Sequence, residues 1–349
     1  MEIEKIQRSL GTLGRQIAEK LGPITLEKVA VTGFLNAKAN AKRISEEKNI
    51  LALQNTPLIE GDDALVIAAG PSLHRYDAAG LIRRSKFKGV IIATESAMPW
   101  CLRHEILPSL VVTLDPHPRR IVRWFGDPAL TEDLLAQDDY FARQDMDPQF
   151  RENQMRFNKE LMNLINRNGS RIRIAVASSA SEEVVRRAIE VGMELFWWNP
   201  MYDDYDKKDS LTRRIHALNG LPCVNAGGNV GSACWVLAHA LLHKKRVGLL
   251  GMDFGYYPDT LYSQTQYYKE ILSLVGQNRL DEVFIHIFNP HIAREFYTDP
   301  AYLWYRDAFL EMAQQAECET HNCTGGGILF GPKINWTTLT EFLDGVVNG

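Results

Sequence analysis

Residues 65–73, LVIAAGPSL, run as an apolar strand into Gly70, Pro71 and Ser72, after which Asp77 opens a helix. A strand that empties into a glycine turn exposes main-chain N–H groups, and Gly70, lacking a Cβ, lets a ligand approach them. The helix start that follows favours negative charge, so phosphate is the guest such a turn would suit. The run matches neither the lysine-bearing ATP loop nor the dinucleotide glycine fingerprint, and an ordinary strand-to-helix turn would read the same way. Pro71 also removes one N–H, so the turn is expected to grip a ligand without supplying positive charge.

Four further clusters close or follow apolar runs: Thr94-Glu95-Ser96, Asp115-Pro116-His117, Asn225-Ala226-Gly227-Gly228-Asn229 and Gly251-Met252-Asp253. A carboxylate at the end of a second strand, Glu95, suits a ribose hydroxyl, with Ser96 beside it. Gly227, Gly228 and Asn229 open a helix and suit an anionic or sugar-like ligand. Asp115 and Asp253 could hold a divalent cation, while each of these carboxylates also fits a plain capping role. His239 and His243 share a helical face but lack the glutamate of a zinc-protease helix, which favours packing or surface roles. His286 and His291 lie in the irregular stretch FIHIFNPHIAREFYTDP, where a histidine could act as a general base or simply face solvent.

The elements that would position these residues follow a βαβ rhythm. Strands are expected at residues 65–69, 90–94, 110–114, 172–176, 194–197 and 247–250, with helices at 78–84, 97–104, 182–191 and 232–243. The pattern predicts an α/β, Rossmann-like three-layer domain with a mainly parallel sheet over residues 61–349. In such sheets ligands bind beyond the carboxyl ends of the strands, where the polar clusters fall. Residues 1–60 read as an N-terminal helical appendage, with Ile3, Ile6, Leu10, Leu13, Ile17 and Leu21 at helical spacing and a break at Gly22-Pro23. It is expected to serve as a cap, a partner-binding pair or a dimerisation arm, the last making a homo-oligomer. The charged segment at about residues 127–168 reads as a helical insertion near the mouth of the site. Helical patterns at 262–279, 300–315 and 336–347 would close the chain.

With 349 residues, 45% of them hydrophobic, the chain is long enough for a sizeable core. Its net charge of -4, without a basic block, argues against nucleic acid as a partner. No apolar run approaches the ~18 residues of a membrane span, and the amino terminus lacks a signal-peptide core, so a cytoplasmic location is expected. The odd set Cys101, Cys223, Cys234, Cys318 and Cys323 contains no C-x-x-C pair, which makes reduced, buried thiols the expectation.

Taken together, ALVIAAGPSL, ATESAMPWCL with LPSLVVTLDP, NAGGNVGSACWVLAHALLHKKRVGLLGMDFGY and HNCTGGGILFG resemble the MptE-like domain family. That family includes the motility-associated factor (Maf) glycosyltransferases of flagellin and the archaeal 6-hydroxymethylpterin pyrophosphokinase. The resemblance covers about residues 60 to 335, leaving the N-terminal helices outside. The Gly-Pro-Ser-Leu turn and Gly-x-Asp-Phe strand end are also similar to those of bacterial sialyltransferases that use CMP-sialic acid. By resemblance, Gly70, Pro71, Ser72, Glu95 and Ser96 would hold a nucleotide, and Gly227, Gly228 and Asn229 would face its phosphate or the transferred group. Tyr256 or Tyr257 would bond a leaving phosphate, and His291, upstream of Thr298-Asp299, would be the base. The family implies a transferase acting on a nucleotide or nucleotide-sugar donor. One expectation is a metal-independent glycosyltransferase moving a CMP-activated nonulosonic acid to a protein or glycan. The alternatives are an ATP-dependent pterin pyrophosphokinase, with Mg²⁺ on Asp115 and Asp253, and a nucleotide-binding module without turnover.

Overall fold

Leu65 and Ile67 point to one side of their strand and Ala64 and Val66 to the other, and all four are buried, which requires a sheet covered on both faces. The computed structural model describes residues 11–137 and 153–345, and this is the arrangement it shows. Expectations resting on residues 1–10, 138–152 and 346–349, including Ile3, Ile6 and Leu10, lie outside the described residues.

Nine strands form one sheet: β1 (Asp63–Ile67), β2 (Val90–Thr94), β3 (Leu110–Thr113), β4 (Arg173–Ala177), β5 (Glu194–Pro200), β6 (Cys223–Val224), β7 (Arg246–Leu250), β10 (Glu319–Asn322) and β11 (Ile334–Trp336). Their spatial order is β11-β10-β7-β1-β2-β3-β4-β5-β6, and every pairing within the sheet is parallel. Five strands, β2 to β6, therefore march outward from β1 on one side, and the chain then returns to lay β7 against the other side of β1. That reversal is the topological switch point, where an open α/β sheet leaves a crevice beyond its carboxyl ends. A separate antiparallel hairpin, β8 (Ile285–Asn289) with β9 (Arg294–Thr298), stands apart from the sheet.

One face is covered by α7 (Val230–Val236), which continues as a π-helical turn to Leu241, and by α9 (Pro300–Gln315). The other is covered by α2 (Ala78–Arg84), α3 (Met98–Arg103), α4 (Gln154–Asn168), α5 (Glu182–Glu190) and α10 (Leu339–Leu343). Caps fix where these helices begin: Asp77 accepts from Gly80 N at 2.9 Å, and Asp299 accepts from Tyr302 N at 2.9 Å. The helices expected at 78–84 and 300–315 form over those residues, and the strand expected at 90–94 does too.

One local expectation is corrected. The break at Gly22-Pro23 does not occur, because α1 runs continuously over Thr12–Ile44. An interior proline costs a helix about 3 kcal/mol, and packing at both ends outweighs it. Gly14 lies so close to the Val283 carbonyl, and Gly33 so close to the Tyr202 hydroxyl, that a Cβ on either would collide. Asn40 then donates to the carbonyls of Ser178 and Ala180 at 2.9 and 2.8 Å. Of the segment expected as an insertion, residues 154–168 form α4, on the path from β3 to β4. Phe157, Leu161 and Ile165 bury one stripe of it against Ile174, Val176 and Trp124. Among the described residues, no helix is long and apolar enough to cross a membrane.

Candidate functional site

At the switch point, β1 and β7 stay joined past their formal ends. Ala68 N donates to Leu250 O at 2.8 Å, and Gly70 N to Gly251 O at 2.9 Å. Gly251 has φ 71°, and a Cβ on it would stand 2.0 Å from the Ala68 carbonyl, so glycine is needed for this approach. Beyond it, Asp253 turns back over the Gly70 turn. Its Oδ2 accepts from the Ser72 hydroxyl at 2.8 Å and from Ser72 N at 3.4 Å, and a Cβ on Gly70 would lie 2.1 Å from that same oxygen. The N–H and hydroxyl expected to receive an anion are thus engaged by a carboxyl of the protein itself. Asp253 is 1% exposed and its Oδ1 has no partner, so burial pushes its carboxyl up to about 7 against the pull of the Ser72 hydrogen bonds.

Positive charge arrives immediately after this turn, from a residue outside it. Pro71–His74 form a single 3₁₀ turn, and Arg75 follows it. Its guanidinium meets Asp259 with both prongs, at 2.7 and 2.9 Å, and lies 4.3 Å from the centre of the Tyr257 ring. Arg294, at the start of β9, lies 5.1 Å from the same ring. The bond from Arg75 holds the Asp259 carboxyl below its usual range. Tyr257 is buried and its hydroxyl sits where Gly326 leaves room, since a Cβ there would be 2.2 Å away. The glycine loop after β10 is pinned to this corner: Ile328 N donates to Asp253 O at 2.8 Å, and Asn289 Nδ2 to Gly327 O at 2.8 Å.

A second group forms at the ends of β2 and β3. Glu95 is 4% exposed, its Oε2 has no partner, and burial, aided by the neighbouring Asp115 charge, pushes its carboxyl up to about 8. Burial raises Asp115 as well, although His117 N donates to its Oδ1 at 2.8 Å. Ser96 pairs its hydroxyl with Thr94 at 3.0 Å. The carboxyl that adjoins Asp115 is therefore Glu95, while Asp253 is taken up with Ser72. Among the described residues, no three His, Cys, Asp or Glu side chains gather as a metal site.

The remaining candidates take separate places. Asn229 caps α7 through Ser232 N at 2.9 Å, and Gly227 and Gly228, with φ 54° and 80°, form the turn before it. That turn is backed by α9: a Cβ on Gly228 would lie 2.5 Å from Trp304, and one on Gly227 2.6 Å from Met312. Tyr256 is locked in the fold, donating to Asp299 at 3.0 Å and accepting from Gln266 N at 3.1 Å. His291 is exposed in the β8–β9 turn, stacked face to face on Trp336 at 4.9 Å. His286 bonds Glu295 at 3.0 Å, His239 packs on Trp235, and His243 is exposed beside Gln54. The five cysteines are free thiols. Sequence reading missed Arg75, Arg294 and Asp259. Arg75 lies three residues past Ser72 and was the one detectable from position.

A family model described as 6-hydroxymethylpterin diphosphokinase MptE-like matches residues 35–123. The match begins within α1, which the expected resemblance left outside, and it takes in the Gly70 turn, Glu95 and Asp115. Among solved structures, the chain is similar to the Maf glycosyltransferase from Magnetospirillum magneticum AMB-1, with 13% identity and a TM-score of 0.49 over 78% of this chain and 33% of that one. The chain thus spans about a third of that relative's length. No curated protein matches the sequence.

Proposed function

We propose that this MptE-like chain is a transferase using a nucleotide-activated donor, and specifically a glycosyltransferase that moves a nonulosonic acid from a CMP-linked donor to a protein or glycan hydroxyl. The observation that carries the reading is the convergence of three polar strand ends at one switch point: the Gly70 turn after β1, Asp253 after β7 and the Gly325-Gly326-Gly327 loop after β10. Glu95 and Ser96, on the neighbouring strand end, would meet the ribose in this reading.

In this reading the acceptor hydroxyl loses its proton to His291, which is exposed to solvent and held flat on Trp336. Of the two candidate tyrosines, Tyr256 has its hydroxyl committed to Asp299 and Gln266, which leaves Tyr257 to donate to the departing phosphate. Asp253, with its carboxyl near neutrality, could carry a proton at working pH. Gly227 and Gly228 would face the transferred sugar. The glycosyl transfer itself needs no metal.

One observation favours a second reading, a pterin pyrophosphokinase. Glu95 and Asp115 place two carboxyls at adjacent strand ends, with Glu95 Oε2 unpartnered, a hard-oxygen set that fits Mg²⁺. There they would hold the ion, which would neutralise ATP phosphates. Calorimetric titration with CMP, CDP, ATP and GTP, with and without Mg²⁺, separates the two. Metal-independent binding of a cytidine nucleotide supports glycosyl transfer, and failure of every cytidine nucleotide to bind refutes it. Mg²⁺-dependent ATP binding that Asp115→Asn abolishes supports the kinase.

A further inference from the structure

In the Gly70 turn Ser72 spends its hydroxyl and N–H on Asp253 and Gly70 donates to Gly251 O, so an anion reaching this crevice needs its positive charge from elsewhere. Two guanidinium groups lie at its rim, both over the ring of Tyr257. Arg75 holds Asp259 in a two-pronged contact, the geometry in which arginine also grips a phosphate. The Arg294 guanidinium makes no hydrogen bond or close ion pair among the described residues, although its charge, with that of Arg75, helps to lower the Asp259 carboxyl. Two cations face the Asp259 carboxylate, and the buried Asp253 carboxyl, raised to about 7, also acts on Arg75. Asp259 is well exposed, so release of its carboxylate to water costs little.

We propose that Arg75 and Arg294, seated on Tyr257, form a clamp for the phosphate oxygens of the donor, and that Asp259 stands in for that phosphate until the donor arrives. The incoming phosphate displaces the Asp259 carboxylate from Arg75 and draws in Arg294, whose guanidinium is free to turn on its aromatic platform. The clamp deepens the nucleotide-donor reading and rests on it for the identity of the ligand, but not for the anion chemistry.

The test measures binding of CMP, cytidine and inorganic pyrophosphate to the full chain and to Arg75→Ala, Arg294→Ala and Asp259→Ala, with Arg279→Ala as an exposed control. Arg279 pairs with Glu282 away from the cluster. The clamp predicts that each of the first two variants weakens CMP and pyrophosphate at least about tenfold and leaves cytidine unchanged. Asp259→Ala tightens both anions several-fold, and the control changes nothing. Arg75→Lys, which keeps the charge and loses the fork, should recover only part of the affinity. CMP binding that survives Arg294→Ala and Arg75→Ala overturns the clamp and leaves the nucleotide reading standing. Pyrophosphate binding lost in both variants, with no nucleotide bound by the wild type, upholds the clamp and defeats that reading. Absence of any anion binding to a wild type that melts normally overturns the clamp.

Discussion

Asp253 and Asp259 lie six residues apart in one loop and hold opposite electrostatic positions. Asp253 is sealed under the Gly70 turn with a hydroxyl and a weak N–H contact as partners, and burial lifts its carboxyl to about 7. Asp259 stands in water against the fork of Arg75, and that bond holds its carboxyl below the usual range. The glycine turn is a socket closed by a carboxyl of the chain. The proposed clamp puts charge recognition at the rim, where solvent makes exchange of one anion for another inexpensive.

The sharpest way to break this comparison is to remove the charge from the buried partner. Asp253 protonates more readily folded than unfolded, so its contribution to stability is fully present below the unfolded value of 3.8 and is lost as pH rises through about 7. Over that window the wild type should lose on the order of 4 kcal/mol that Asp253→Asn keeps, seen as a flatter pH profile in denaturant melts. Gly70→Ala should come next, costing about 3 kcal/mol, because the new methyl has a carboxyl oxygen at 2.1 Å and the Gly251 carbonyl at 2.4 Å. Thermal melting checks it, and an unshifted transition would show that the socket is not closed by Asp253. Tyr256→Phe leaves Asp299 Oδ2 without its donor and should cost about 1 to 2 kcal/mol by the same assay. At the rim, Asp259→Asn should change stability by no more than about 0.5 kcal/mol, and a larger loss would make that pair part of the fold rather than an exchangeable contact.

Six of the nine strands, β1 to β5 and β7, were legible because they are short apolar runs ending in glycine or polar residues, as at Gly70 and Gly251, whereas β6, β10 and β11 are too short or too polar to announce themselves. The continuity of α1 was not legible, since Pro23 speaks against it locally and the contacts that override it come from Val283 and Tyr202, far along the chain. The same distance hid the clamp. Arg75 gains its role only when residues 257, 259 and 294 are folded against it, and no spacing rule links them. The Gly70 turn was read as a phosphate seat on local grounds that are sound for an isolated turn. What sequence could not supply was Asp253, delivered by a strand 181 residues away.

The most direct test of the account is an experimental structure of the chain crystallised with saturating CMP. The account predicts the nucleotide beyond the carboxyl ends of β1 and β7, its phosphate within hydrogen-bond reach of Arg75 and Arg294, Asp259 released, and Asp253 still closed on Ser72. A nucleotide bound away from the switch point, or a phosphate seated on Ser72 with Asp253 displaced, would contradict it.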